Sequence, residues 1–176
     1  VDPNWLLARN NLGYLAMARA QFAEAEEQFR TYAYVAPDQA NPHDSLGELL
    51  SLVGRYDEAR TELERSLSIR PDFCASYQHL AGIAVFEGRP EEIPPLAERL
   101  GEHCPAEMKA ALHCEARFFA AFISRDFDAP WRDGFASCGG KMGSGILFYR
   151  LALLAGRQAE AEAEEEAEEE EEYVPA

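Results

Sequence analysis

The chain has 176 residues, of which 47% are hydrophobic, a content typical of a folded chain with an apolar core. Its formal net charge is −16, and because residues 157–176 hold ten glutamates against one arginine, their −9 leaves only −7 for the first 156 residues. This acidity, without any cluster of lysine or arginine, argues against nucleic acid and membrane surfaces as direct partners, and no apolar run reaches the ~18 residues that a membrane-spanning helix needs.

A 34-residue period runs along the chain. Its clearest mark is a set of four prolines at one constant spacing: Pro3, Pro37, Pro71 and Pro105. Gly-Arg pairs follow the same period, at residues 54–55, 88–89 and 156–157. Repetition of this length indicates a stack of similar supersecondary elements.

Each period predicts two helices joined by a turn. In the second period, PHDSLGELLSLV places Leu46, Leu49 and Leu50 on one helical face and stops at Gly54, a residue that tolerates the left-handed conformation of a helix end. The segment YDEARTELERSLSI follows, with acidic residues in its first turn, and stops before a proline. Alternation of period two, which would indicate strands, is absent from the sequence.

Small residues mark where the paired helices approach each other. Gly13, Gly47 and Ala81 recur once per period in the first helix, each after a leucine, and Ala25 and Ala59 recur in the second. A 34-residue pair of helices with these features resembles the tetratricopeptide repeat. The resemblance implies an all-α solenoid, a right-handed superhelix of about five repeats.

The resemblance also gives the boundaries, if each proline takes position 32 of its repeat. Pro3 then stands where a repeat closes, so we expect residues 1–5 to be the end of a preceding, truncated repeat and Trp5 to be more exposed here than it would be beside that repeat. The remaining segments are repeats 1 to 3 at 6–39, 40–73 and 74–107, a degenerate repeat 4 at 108–141, a degenerate repeat 5 at 142–163, and a glutamate-rich tail at 164–176.

The last third of the chain departs from the pattern. Repeat 4 lacks the Gly-Arg turn and carries Glu115 where the others have a small residue, and we expect its first helix to extend to about Ser124. In the tail, glutamates four residues apart repel each other and oppose a helix. We expect a solvated, frayed end, with a docking site for a basic partner as the alternative.

In the family that the chain resembles, the first helices line a concave groove that binds an extended peptide or a partner helix. Carried over by repeat position, the resemblance assigns nine residues to this groove: Asn10, Tyr14, Met17, Asn41, Asp44, Glu48, Gln78, Lys109 and Phe119. The amides of Asn10, Asn41 and Gln78 can pair with a peptide backbone. Because Asp44 and Glu48 are acidic and only Lys109 is basic, we expect neutral or basic peptides rather than acidic C-termini.

The sequence therefore indicates a protein-interaction module or scaffold within a larger protein, not an enzyme, with no cofactor. Two alternatives remain open. The chain is a non-catalytic, substrate-positioning or regulatory segment of a larger enzyme such as a transferase, kinase or protease, or it is a structural array that self-associates through exposed terminal repeats.

Three other patterns do not predict chemistry. The segment SCGGKMGSG lacks the Ser or Thr that must follow Gly140-Lys141 in a phosphate-binding loop. The two His-Cys pairs, at residues 103–104 and 113–114, do not have the arrangement of a zinc site. The four histidines show no catalytic spacing, so no metal-binding or catalytic residue is predicted.

The four cysteines are Cys74, Cys104, Cys114 and Cys138, and none forms a C-x-x-C pair. Because they are sparse for a disulfide-rich secreted scaffold, we expect reduced thiols and a cytoplasmic location. A Cys104–Cys114 disulfide is the alternative for an exported protein. No signal peptide is visible in the sequence.

Overall fold

The computed structural model describes residues 3–114 and residue 125. Its helices are α1 (Pro3–Ala18), α2 (Phe22–Val35), α3 (Ala40–Leu52), α4 (Tyr56–Ile69), α5 (Cys74–Phe86), a short 3-10 turn (Pro90–Glu92) and α6 (Ile93–His103), and residues 106–114 are helical as well. This part of the chain contains no strand, so the predicted all-α helical repeat fold is confirmed. None of its helices is both long enough and apolar enough to cross a bilayer.

The chain divides into two compact units. The first consists of Val1–Phe86 with Glu102–Cys104, and the second of Glu87–Gly101 with Pro105–Ala176. In the first unit α1 packs on α2 and α3 packs on α4, which gives the two predicted helical hairpins. The second helix of each hairpin also contacts the next first helix, and α1, α3 and α5 contact one another in order. The predicted helices beyond residue 114, the glycine-rich segment and the tail lie outside the described residues.

Glycine lets the two helices of a hairpin approach closely. A β-carbon added at Gly13 of α1 would lie 2.4 Å from Cε1 of Phe29 in α2, and one added at Gly47 of α3 would lie 2.6 Å from Cγ of Leu63 in α4. Phe29 and Leu63 are fully buried at these contacts. The prediction that the small residues face a neighbouring helix is therefore confirmed for Gly13 and Gly47.

The hairpin turns use the left-handed backbone conformation at one repeated position. Gly54 has φ of 79° and Gly88 has φ of 70°, and Ala20, which stands one period before Gly54, has φ of 56°. The amide of the following residue closes the turn: Arg55 donates to the Leu50 carbonyl at 2.9 Å. Because its β-carbon disfavours this conformation by roughly 1 kcal/mol, Ala20 strains the first turn.

A disulfide joins Cys74 to Cys104. The Cα atoms are 6.0 Å apart, a usual separation for such a bond, and the sequence separation is 30. Cys114 is also disulfide-bonded. The expectation of reduced thiols is therefore wrong for these three cysteines. The alternative Cys104–Cys114 disulfide is also wrong, because Cys104 is bonded to Cys74. Folding brings Cys74 and Cys104 together, although their spacing in the sequence does not indicate a disulfide.

Candidate functional site

Seven of the nine predicted groove residues lie on the first helices α1, α3 and α5, which contact one another in the first compact unit. They are Asn10, Tyr14 and Met17 on α1, Asn41, Asp44 and Glu48 on α3, and Gln78 on α5. Lys109 lies in the second compact unit, and Phe119 lies outside the described residues. The site is therefore built from the seven.

A hydrogen-bonded row connects α1 to α3. The Tyr14 hydroxyl lies 2.8 Å from a Glu48 carboxylate oxygen, to which it donates, and 3.2 Å from the Ser45 hydroxyl. Ser45 in turn donates to the amide oxygen of Asn10 at 3.0 Å. Burial raises the pKa of Tyr14, so its phenol stays protonated and remains a donor to Glu48. This row fixes the side chains of two neighbouring helices before any ligand arrives.

A second polar cluster connects α3 to α5. Asp44 is almost completely buried, and one of its carboxylate oxygens accepts a hydrogen bond from Ser76 at 2.6 Å. The ring nitrogen Nε2 of His79 lies 3.8 Å from Asp44 Oδ2 and 3.8 Å from Glu48 Oε2. Burial raises the pKa of Asp44, although the Ser76 hydrogen bond and His79 act in the opposite direction. The middle of the three first helices therefore carries two carboxylates beside one imidazole.

The side-chain amides of the three predicted residues differ in their hydrogen bonds and in their exposure to solvent. Asn41 donates from its amide nitrogen to the Tyr32 hydroxyl at 3.3 Å, and Asn10 already accepts from Ser45. Gln78 is exposed. Gln78 therefore leaves its side-chain amide accessible to solvent. Asn10 and Asn41 each have one side-chain polar atom in a hydrogen bond within the protein. Met17 is half-buried.

Lys109, the single basic residue among the nine, is paired within the second compact unit. Its ammonium group contacts Glu98, which also lies 3.2 Å from His113 Nε2. These contacts lower the pKa of Glu98, chiefly through the Lys109 hydrogen bond. Because its charge is partly neutralised by Glu98, Lys109 offers little attraction to an acidic ligand.

Sequence reasoning missed two members of the site, Ser45 and His79. They occupy the same position in successive repeats, and each follows a predicted groove residue, Asp44 or Gln78. The 34-residue period relates the two residues to each other, but the groove positions of the tetratricopeptide repeat do not include this one.

Hydroxyl, carboxylate and amide groups on three adjacent helices offer hydrogen-bond acceptors and negative charge to a ligand. Among the described residues, no group of three or more His, Cys, Asp or Glu side chains could hold a metal ion.

Comparison with known proteins agrees with this architecture. Residues 42–73 match the family model described as tetratricopeptide repeat. A solved structure described as a MamA RS-1 ArsTM double mutant is similar to the chain with a TM-score of 0.61 and 14% identity, covering 94% of this chain and 92% of that one. A second, from the functional characterisation of Pseudomonas aeruginosa pilF, has 16% identity, coverage of 92% and 89%, and a TM-score of only 0.42. No curated protein matches the sequence.

The 34-residue period, the two hairpins of the first compact unit and the likeness to the MamA structure agree on one fold, and residues 42–73 carry the family's own sequence pattern. Repeats of this kind generally serve as protein-interaction scaffolds and are typically non-catalytic. Residues 42–73 therefore match the tetratricopeptide repeat family in sequence, and the described part of the chain has an all-α helical-repeat fold.

Proposed function

We propose that the chain binds an extended peptide or a partner helix along the face formed by α1, α3 and α5. The observation that carries this proposal is the hydrogen-bonded row from Asn10 through Ser45 and Tyr14 to Glu48. Side chains held in one arrangement lose less conformational entropy when a ligand binds. A face whose polar groups are already ordered is therefore suited to recognition.

The charge of this face favours a neutral or basic ligand. Glu48 is partly exposed, and Asp44 lies beside it on α3. A lysine or arginine of the ligand near Glu48 would gain a charge-assisted hydrogen bond, whereas an acidic side chain would be repelled.

A peptide selection tests this preference. Peptides that bind the immobilised protein are selected from a library of random decapeptides. Their affinities are measured by fluorescence anisotropy at about 0.15 M salt, where long-range electrostatic interactions are screened. We expect selected peptides to be enriched in lysine and arginine, and Glu48→Gln to weaken their binding about fivefold to tenfold. Glu24→Gln on α2, an exposed carboxylate outside this face, is the matched control and should leave binding unchanged.

The amides give a second test of the same face. Gln78→Ala should weaken the selected peptides more than Asn41→Ala, because Gln78 is exposed while Asn41 is bonded to Tyr32. Equal binding of an acidic C-terminal peptide and a basic one, or selected peptides that are insensitive to both Glu48→Gln and Gln78→Ala, would contradict the proposed groove.

We infer that the chain works in an oxidising compartment rather than the cytoplasm expected from the sequence. The inference is supported by the Cys74–Cys104 disulfide, because such bonds persist outside reducing compartments. Alkylating protein from its native cells without prior reduction tests it. Cys74 and Cys104 should stay unmodified, and complete alkylation of both in the freshly isolated protein would contradict the inference.

A further inference from the structure

Two groups of three side chains connect the first helices, and they lie one period apart. Between α1 and α3, the Ser45 hydroxyl lies 3.0 Å from the amide oxygen of Asn10 and 3.2 Å from the Tyr14 hydroxyl. The counterparts of Asn10, Tyr14 and Ser45, 34 residues later, are Asp44, Glu48 and His79 respectively. These three lie together between α3 and α5. The same three repeat positions therefore connect both pairs of first helices.

The two groups differ in whether their side chains ionise. In the α3–α5 group, Nε2 of His79 lies 3.8 Å from Asp44 Oδ2 and 3.8 Å from Glu48 Oε2. In the α1–α3 group an amide, a phenol and a hydroxyl take these places, and none of them changes its charge between about pH 5 and pH 8. The charge of the face can therefore respond to mild acid between α3 and α5 but not between α1 and α3.

His79 supplies the positive charge of the α3–α5 group. It is the only residue of α5 whose side chain can carry a positive charge, and α5 packs on α3 and α4 within the first compact unit. From α3 it faces Asp44 and Glu48, and Tyr14 of α1 donates to the same oxygen of Glu48. From the side of α4, Arg70 acts on Asp44 through its charge. Protonation of His79 therefore places a positive charge directly beside both carboxylates.

We propose that His79 determines the charge specificity of this face by competing with a cationic ligand group for Asp44 and Glu48. This inference rests on the proposed binding of a basic peptide. When His79 is neutral, the part-exposed Glu48 carboxylate is available to a lysine or arginine of the ligand. When His79 is protonated, it neutralises that carboxylate and repels the ligand's cation. Basic ligands therefore bind above the pH range in which histidines titrate and are released below it.

The pH dependence of peptide binding tests this role. The probe is an arginine-containing peptide from the decapeptide selection that lacks His, Asp and Glu and has an acetylated N-terminus and an amidated C-terminus, so that its own charge stays constant. We expect its affinity to fall about fivefold to tenfold from about pH 7.5 to about pH 5.5. Glu48→Gln is expected to cause a loss of the same size, because both changes cancel negative charge at one position.

Two histidine variants make the test specific. His79→Ser gives the α3–α5 group the hydroxyl that the α1–α3 group has at this position, and it should remove the pH dependence. His113→Gln is the matched control, because it removes a histidine that pairs with Glu98 in the second compact unit, and it should leave the pH dependence unchanged. If His79→Ser lacks native far-UV circular dichroism, His79→Gln takes its place.

Calorimetry adds a measurement that a purely structural role of His79 would not change. If the peptide and the proton on His79 exclude each other, binding near pH 6 should release a fraction of a proton. The observed heat should then depend on the ionisation enthalpy of the buffer. This dependence should disappear in His79→Ser and persist in His113→Gln.

Two results would overturn the inference while leaving the proposed function intact. The first is an affinity that is flat across this pH range, although Glu48→Gln weakens binding. The second is a pH dependence that survives in His79→Ser, and its loss in Asp44→Asn would then assign the titration to the buried carboxyl group. Absence of any peptide binding that depends on Glu48 would instead overturn the proposed function, and this inference with it.

Discussion

Replacing Cys74 and Cys104 by serine should destabilise the protein through its unfolded state. The disulfide closes a loop with a sequence separation of 30. Loop-closure entropy for a loop of that length predicts a loss of about 3.6 kcal/mol in the free energy of unfolding at 25 °C. A domain of ordinary stability has only about 5–15 kcal/mol in total, so a loss of this size should be obvious.

Guanidinium unfolding of the oxidised protein and of the double serine variant measures this difference. Because the variant unfolds to a less restricted chain, we expect its dependence on denaturant to be steeper as well as its midpoint lower. A double alanine variant is the control, since it removes the bond without adding hydroxyl groups. A loss below about 1 kcal/mol with an unchanged denaturant dependence would refute the loop-entropy argument.

Three further substitutions test the fold and the site. Ala20→Gly should stabilise the protein by about 1 kcal/mol because it relieves the left-handed turn, while Ala8→Gly inside α1 should cost a similar amount, and thermal unfolding compares the two. Gly47→Ala should destabilise the protein by about 1 kcal/mol, because the added β-carbon would collide with the neighbouring helix. Gly82→Ala, with open space around it, should stabilise the protein by about the same amount. If denaturant unfolding shows that both variants change the free energy of unfolding in the same direction, the close-approach argument is contradicted. Burial raises the pKa of Asp44 above its ordinary 3.8, so the unfolded state releases its proton first and the wild type loses stability as pH rises from 3.8 through the folded pKa. The stability of Asp44→Asn relative to wild type should therefore increase across that window, and a difference that is flat with pH in denaturant titrations would contradict it.

Much of the helical pattern could be predicted because it repeats. The segment YDEARTELERSLSI matches α4 (Tyr56–Ile69) at both ends, since a Gly-Arg turn and a proline bound it. The glycines of the first helices were predicted to face a partner, and Gly13 and Gly47 do. These features depend on residues that are close in sequence or on the 34-residue period. Both can be recognised in a single amino-acid sequence.

The features that the sequence did not predict depend on three-dimensional packing, which no local sequence pattern specifies. Ala20 takes the conformation of Gly54, but no glycine marks that turn. The Ser45 bridge between Tyr14 and Asn10 requires side-chain positions on two helices. Cys74 and Cys104 meet only once the chain has folded. Such pairings are set by packing, and neither composition nor spacing specifies them.

The same disulfide also limits how far the chain can be stretched. Each residue of an extended chain spans at most ~3.3–3.6 Å, so the roughly 30 residues between Cys74 and Cys104 represent about 100 Å of length. While the bond is intact, tension applied at the two ends of the chain bypasses this loop through the two sulfur atoms. Under mechanical force, the first two hairpins could therefore unfold and extend fully. The segment between Cys74 and Cys104 could extend only after the disulfide is reduced.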